Sequence, residues 1–342
     1  MTLVAVVPGD GIGPEVTAEA VQLLTEMQLG LEFDVLDHIN ADTYLATGES
    51  LSAGDLDRIG RAGSVLFGAV GDPRVRTPDY ARGVLLRLRF ELDLYVNHRP
   101  SFLWDERLSP LRDARRRHVD CVIVRENSEG LYAGIGGSLR PGTDNEIAID
   151  EEVNTYQGVS RLIDYAFSVA RRSVTLVDKA NAVRNGGQLW QRCWREATRR
   201  HPDMQHHHLY VDAAAMKLVA DPSAFDVIVT NNSYGDILSD LAAQLAGGIG
   251  MAASANLNPQ SGFGLYEPVH GSAPDIAGQG LANPIGAILS AALLCENLAL
   301  DRAASAIRAA VAETVTARRC TAEIGGTLTT AQAGAAIRAA IR

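Results

Sequence analysis

Short, nearly uninterrupted apolar runs recur along this chain, and helical periodicity follows most of them. Leu3–Val7, Glu32–Leu36, Ser64–Phe67, Val119–Val124, Ser173–Val177 and Asp226–Thr230 are the strand candidates. The first, LVAVV, is apolar at odd and even positions alike, as a strand covered on both faces must be. Helical patterns fall at Pro14–Leu24, Val84–Leu94, Asn154–Arg172, Gly186–Arg200 and Ile237–Leu245, then at Asn283–Leu298, Asp301–Thr316 and Thr330–Arg342. Strands that alternate with helices define an α/β class. Residues 133–153 break the alternation with turns and short strands, the pattern of an intersubunit arm.

A chain of 342 residues holds two domains, or one large α/β domain with an insertion. Its net charge of -10 argues against a nucleic-acid partner held through phosphates. Cys121, Cys193, Cys295 and Cys320 lie far apart with no CxxC pairing, as free thiols in a reducing compartment do. The start lacks a signal-peptide pattern, and no apolar run approaches the roughly 18 residues of a membrane span. A soluble cytoplasmic protein is the expectation. His206, His207 and His208 follow Pro202-Asp203 and have no Cys or Glu at ligand spacing, so they read as a solvated loop.

The turn Gly9-Asp10-Gly11-Ile12-Gly13-Pro14 follows the first strand and invites a dinucleotide reading. The third glycine comes one place early, however, with Pro14 where it belongs, and Asp10 carries a negative charge into the place a phosphate needs. Pro14 suits a first helical turn. A tight strand-to-helix turn is the better reading, with Asp10 at most a minor polar contact to the cleft.

Two constellations carry chemistry. Asp236 and Asp240 lie four apart on one helical face after the strand DVIVT. Repelling carboxylates without His or Cys suit a hard divalent cation, and Asp212 after Leu209-Tyr210-Val211 is a candidate third ligand. Arg89, Arg99 and Arg125 form the other set, because a guanidinium fork grips carboxylates bidentately. Tyr132 and Lys179 offer a proton donor and a proton acceptor.

These segments converge on one family. PGDGIGPEV (8–16), LRFELDLYVNHRP (88–100), VRENSEGLY (124–132), VDKAN (177–181), YVDAAAM (210–216), GDILSD (235–240) and EPVHGSAPDIAGQGLANP (267–284) resemble the metal-dependent β-decarboxylating dehydrogenases, in unbroken order to about residue 300. That family acts on isopropylmalate, isocitrate, homoisocitrate and tartrate or D-malate. The resemblance implies a two-domain α/β fold of isopropylmalate-dehydrogenase type with a mixed sheet, not a standard Rossmann fold. It implies a discontinuous cofactor-binding domain, 1–95 plus 247–342, and a dimerisation domain, 96–246, bearing the arm 133–153. By the same resemblance Arg89, Arg99 and Arg125 hold the malate carboxylates, and Tyr132 protonates C3. Asp236 and Asp240 ligate Mg²⁺ or Mn²⁺, while Asp212 and Lys179 come from the other subunit of a homodimer.

The resemblance places the cofactor on the loop that runs from His270, Gly271, Ser272, Ala273, Asp275 and Ile276 to Asn283. A carboxylate at Asp275 accepts hydrogen bonds from the adenosine ribose and repels a 2′-phosphate, which favours NAD. The C3 substituent would face Leu85 and Leu86, an apolar pair suited to isopropyl, and the stretch 82–100 looks like the actinobacterial isopropylmalate branch. Ala182 stands where that branch supplies a valine, Arg184 where acidic or apolar residues are common, and Ala81 where a glutamate is usual. These departures leave homoisocitrate, isocitrate, tartrate/D-malate or a phosphonoalkyl-malate as alternatives. The rival of another class, a non-catalytic regulatory subunit, typically lacks the metal aspartates or the Tyr/Lys pair, which this chain has.

Overall fold

The computed structural model describes residues 2–342. In chain order the strands are β1 (Thr2–Gly9), β2 (Leu31–Val35), β3 (Ser64–Ala69), β4 (Val96–Phe102), β5 (Asp120–Glu126), β6 (Gly136–Leu139), β7 (Ile147–Asp150), β8 (Ser173–Asp178), β9 (Gln205–Tyr210), β10 (Val227–Thr230), β11 (Ala253–Asn258) and β12 (Phe263–Pro268). The helices are α1 (Gly13–Glu26), α2 (Ala41–Thr47), α3 (Ala53–Ala62), α4 (Asp79–Ala81), α5 (Arg87–Glu91), α6 (Tyr156–Val169), α7 (Arg184–Arg200), α8 (Val211–Ala220), α9 (Asn232–Leu245), α10 (Ile285–Asn297), α11 (Asp301–Thr316) and α12 (Thr330–Ala340).

Ten strands form one open mixed sheet in the order β2-β1-β3-β12-β11-β4-β5-β10-β8-β9. The flanks are parallel, and the middle pairs β12–β11, β11–β4 and β4–β5 are antiparallel. A doubly wound dinucleotide fold is parallel at its centre; this sheet is not, and the expected departure from a Rossmann fold holds. The buried apolar clusters divide by chain segment. Two draw on residues 4–94 and 251–340, and two on residues 95–246. Helix α10 is buried along nearly its whole length, because β11 and β12 cover one side and α1 and α11 another.

Two sequence readings need correction. The pattern at Val84–Leu94 is not one helix: Arg82–Leu86 is a π turn between α4 and α5, and the helix ends at Glu91. Such a turn absorbs an extra residue and is common where side chains must be re-aimed. The histidines 206–208 are not a loop. They lie in β9, an edge strand paired in parallel with β8. Polar residues at successive positions hid that strand: at the edge of the sheet every residue of Gln205–Tyr210 is exposed except the half-buried Leu209.

His98 on β4 packs edge-on to Tyr165 of α6, whose hydroxyl lies 3.1 Å from its Nδ1. Burial, aided by Arg308, pushes His98 down to about 4, so the neutral ring accepts the tyrosine proton. Because the folded-state value lies below that of the unfolded chain, this stability is complete above pH 6.5. It is lost as the pH falls towards 4, by at most ~3 kcal/mol. We expect urea denaturation at pH 7 and pH 4.5 to show a smaller pH-dependent loss for His98→Leu than for the wild type.

Candidate active site

Arg89 on α5, Arg99 on β4 and Arg125 on β5 are all buried, and all three line one cavity of about 670 Å³. Leu85, Leu86, Leu131, Tyr132, Gly134, Asp150, Asp236 and Arg82 complete its wall. Arg99 and Arg125 lie on adjacent antiparallel strands, where Asn97 pairs with Arg125 and Arg99 with Ile123, a register that puts both arginines on the same face of the sheet. The N-terminus of α9 meets them there. Asn231 caps that helix through Tyr234 N, which starts it five residues before Ile237.

Asp236 is the hub. Arg125 Nη1 donates to its Oδ1, Arg99 Nη1 lies 3.4 Å from the same oxygen, and the Tyr132 hydroxyl donates to Oδ2 at 3.1 Å. Asp240, one turn on, lies 3.5 Å from Arg99. Burial and the charge of Asp236 raise the Asp240 carboxyl, with Arg99 opposing. Burial, with Arg99 beside it, pushes Arg125 down to about 9, and burial lowers Arg99 too. A guanidinium keeps its proton in a protein, so these shifts express a demand for anions. Burial and Asp236 raise Tyr132, which keeps its phenol protonated at neutral pH.

Sequence reading missed several participants. Asn232 accepts from Arg125 Nε and Nη2 at 3.1 and 2.6 Å, and Ser239 accepts from Arg99 at 2.7 Å. Glu267 accepts from Arg89 Nη2 at 3.0 Å. Ser239 was legible as i+3 from Asp236 on the same face, and Glu267 as a lone acid in the apolar run FGLYEP.

Other expected residues do not reach this cavity within one chain. Lys179 follows β8 and donates to Asp212, in the first turn of α8, at 2.7 Å. That contact lowers the Asp212 carboxyl. Ala182 and Arg184 are exposed beside the same turn. Among the described residues no three His, Cys, Asp or Glu side chains converge as a metal site. Asp236 and Asp240 supply two oxygen ligands of the chemistry a hard cation takes, with a third required from elsewhere.

The opening glycines meet the C-terminal loop. Ile12 N donates to the Ser272 carbonyl at 2.8 Å, and Gly11 has φ +58°. A Cβ on Gly11 would stand 1.9 Å from that carbonyl oxygen, so only glycine fits. In the loop, His270 is buried and its Nε2 has no partner, while the Asn283 side chain accepts from Ile285 N just before α10. The Asp275 carboxylate is exposed and makes no hydrogen bond among the described residues; Gly271 is exposed, Ser272 is half-buried, and Ala273 and Ile276 anchor the loop against the core. An orphaned imidazole nitrogen and a free carboxylate fit a nucleoside. Asp10 is no minor contact, contrary to its sequence reading. Its buried carboxylate accepts from Ala41 N at 2.7 Å, Gly71 N at 2.8 Å and the Tyr80 hydroxyl at 2.8 Å.

Buried arginines at the antiparallel centre of a mixed sheet, with paired aspartates on the adjoining helix, form a site suited to a small polyanion beside a hard cation. The family model described as isocitrate/isopropylmalate dehydrogenase matches residues 3–337. A 3-isopropylmalate dehydrogenase of Rhodococcus erythropolis is 46% identical, over 96% of this chain and 99% of that protein. One of Leifsonia xyli is 49% identical, over 98% and 96%. Among solved structures, isocitrate dehydrogenase of Methylococcus capsulatus superposes with a TM-score of 0.90 at 36% identity over the whole of both chains. A β-decarboxylating dehydrogenase of Thermococcus kodakarensis gives 0.82 at 40%, over 100% of this chain and 96% of that one. The chain belongs to the isocitrate/isopropylmalate dehydrogenase family. It is an NAD-dependent decarboxylating dehydrogenase, of a family that uses Mg²⁺ or Mn²⁺.

Asp10→Ala removes the acceptor of three buried or half-buried donors. We expect a loss of about 2–4 kcal/mol in urea denaturation, and about 1 kcal/mol for Tyr80→Phe, which leaves the two amide bonds in place.

Proposed function

We propose that the chain oxidises a 3-substituted malate at C2 and removes the carboxylate on C3. The substrate we infer is 3-isopropylmalate, with 4-methyl-2-oxopentanoate as product, in leucine biosynthesis. The observation that carries this reading is the cavity, which three buried arginines line together with Leu85, Leu86 and Leu131. The names of the actinobacterial relatives support it.

In this reading Arg89, Arg99 and Arg125 orient the malate carboxylates, and Leu85 and Leu86 take the alkyl group. Asp236 and Asp240, with the partner subunit's Asp212, hold the divalent ion, and the loop from His270 to Asn283 holds NAD. Bound there, NAD would supply the hydride acceptor and the divalent ion a Lewis acid for the oxygen chemistry at C2. The partner subunit's Lys179 takes the hydroxyl proton from the C2 oxygen, so that the hydride can leave. The Tyr132 phenol, raised by partial desolvation and by the Asp236 carboxylate to which it donates, delivers a proton to C3.

A homodimer completes the site. Strands β6 and β7 form a two-stranded arm on which Ile135, Leu139, Ile147 and Ile149 are exposed. Met216 on α8 and Ile237 on α9 are 75% and 66% exposed, and with the apolar arm they offer surface that a second subunit could cover. The proposed domains are 1–95 plus 247–342 and 96–246, a division that the buried clusters support. No helix among the described residues is long and apolar enough to cross a membrane, and a cytoplasmic location is part of the proposal.

A second reading rests on Arg184, which forms no ion pair or side-chain hydrogen bond among the described residues and stands two positions beyond the small Ala182. An anionic C3 group would suit it. Steady-state kinetics with isopropyl-, carboxyalkyl-, hydroxy- and phosphonoalkyl-malates is expected to give the highest kcat/KM for isopropyl. Faster turnover of an anionic substituent, abolished in Arg184→Ala, would replace isopropylmalate as the substrate. Asp275→Ala is expected to narrow the preference for NAD over NADP, and an unchanged ratio contradicts the assigned ribose contact.

A further inference from the structure

The turn that carries Lys179 is fastened from three sides by groups outside the proposed chemistry. Asp178, the last residue of β8, is 4% exposed. Its Oδ1 lies 2.8 Å from His208 Nε2 on β9, and its Oδ2 accepts from Gln191 Nε2 on α7 at 2.6 Å. Ala180 N also donates to Oδ1, at 3.2 Å. His208 Nε2 and Gln191 Nε2 stand 3.0 Å apart and both face the carboxylate, so both are donors to it and the ring carries its proton on Nε2. A buried carboxylate needs such donors, and three different segments supply them.

The neighbouring geometry ties this knot to reactive groups. The register places Asp178 opposite Tyr210, so β8 and β9 end together. Lys179 begins the turn after β8, and Asp212 opens α8 just after β9. His208 packs edge-on to Tyr210 at 5.2 Å, and Lys179 Nζ lies 5.9 Å from the same ring. On the helix side, a Cβ on Gly187 would meet Ala180 Cα at 2.5 Å, so α7 presses directly on the turn.

We propose that Asp178, His208 and Gln191 are positioning residues: they form a clamp that sets where Lys179 stands, and through it the spacing of Lys179 from Asp212. This inference rests on the role proposed for Lys179. The clamp also gives a purpose to one of the three adjacent histidines, which composition alone left as a solvated tract. His206 is exposed and lies edge-on to Trp194 at 6.1 Å, and the His207 side chain makes no hydrogen bond among the described residues, so the role belongs to His208 alone.

The test compares His208→Ala, His208→Gln, Gln191→Leu, His207→Ala and Lys179→Ala as full-length dimers with NAD, Mg²⁺ and the malate that the substrate panel identifies. Circular dichroism and gel filtration report fold and assembly. His208→Ala is expected to lower kcat about 10- to 100-fold, as loss of an orienting partner does, with KM for malate and NAD within about threefold. His208→Gln keeps a donor near the Nε2 position and is expected to restore most of kcat, while His207→Ala behaves as the wild type. If His208→Ala does not fold, Gln191→Leu carries the same expectation from the helix side. Wild-type kcat in a folded clamp variant, or a kcat loss that His208→Gln does not restore, overturns the clamp. An active Lys179→Ala instead overturns the reading on which it rests.

Discussion

Arg89 sets a condition that the centre of this molecule must meet. Its guanidinium is 5% exposed, and Glu267 on β12 answers it. That carboxylate also accepts from Asn256 Nδ2 at 2.8 Å, whose Oδ1 in turn accepts from Asn97 and Asn127 at 3.0 and 2.9 Å. Asn97 donates as well to Ser254. The chain of bonds crosses β12, β11 and β4 in sequence, so the antiparallel register of the middle strands and the position of the arginine are one requirement. Removing one member of a buried pair leaves a charge uncompensated, at a cost of about 3–5 kcal/mol. Arg99 and Arg125 extend the same condition towards the cavity, where Asp236 is their common partner.

That sharing bears on ligand binding. Asp236 occupies, among Arg99, Arg125 and Tyr132, the kind of position that a substrate carboxylate takes under the proposed function. Under that proposal a dicarboxylate in the cavity would compete with Asp236 for the guanidinium groups and free its oxygens for a cation. A cation there would also offset the two influences that raise Asp240, burial and the charge of Asp236. Substrate and metal would then favour one another's binding, and such coupling is reciprocal.

The outer frame was legible from the chain because it is apolar. Strands β1, β3, β8 and β10 and helices α1, α7, α10 and α11 follow from periodicity, with ends displaced by a few residues. The centre was not. Strand β4 reads NHRPS, and β11 and β12 hold Ser254, Asn256 and Glu267 inside, so no apolar rule finds them. Their polar side chains are buried because they satisfy one another, a property of the assembled sheet and not of any segment. The site divides in the same way. Arg89, Arg99, Arg125, Tyr132 and Asp236 line one cavity, whereas within one chain Lys179 and Asp212 pair with each other away from it.

The opening glycines show how one turn can serve a different fold. In a doubly wound sheet the space above the first helix N-terminus is left for pyrophosphate, and glycines let the phosphates approach. Here the chain fills that neighbourhood itself. Asp10 places a buried negative charge beside the start of α1 and spends it on Ala41, Gly71 and Tyr80. The closeness that Gly11 permits goes to the Ser272 carbonyl instead of a phosphate oxygen. A phosphate there would face a carboxylate and a carbonyl. The turn therefore acts as a buttress: it fixes the loop from His270 to Asn283, and that loop, about 260 residues later in the chain, presents the unpartnered groups that suit a nucleoside.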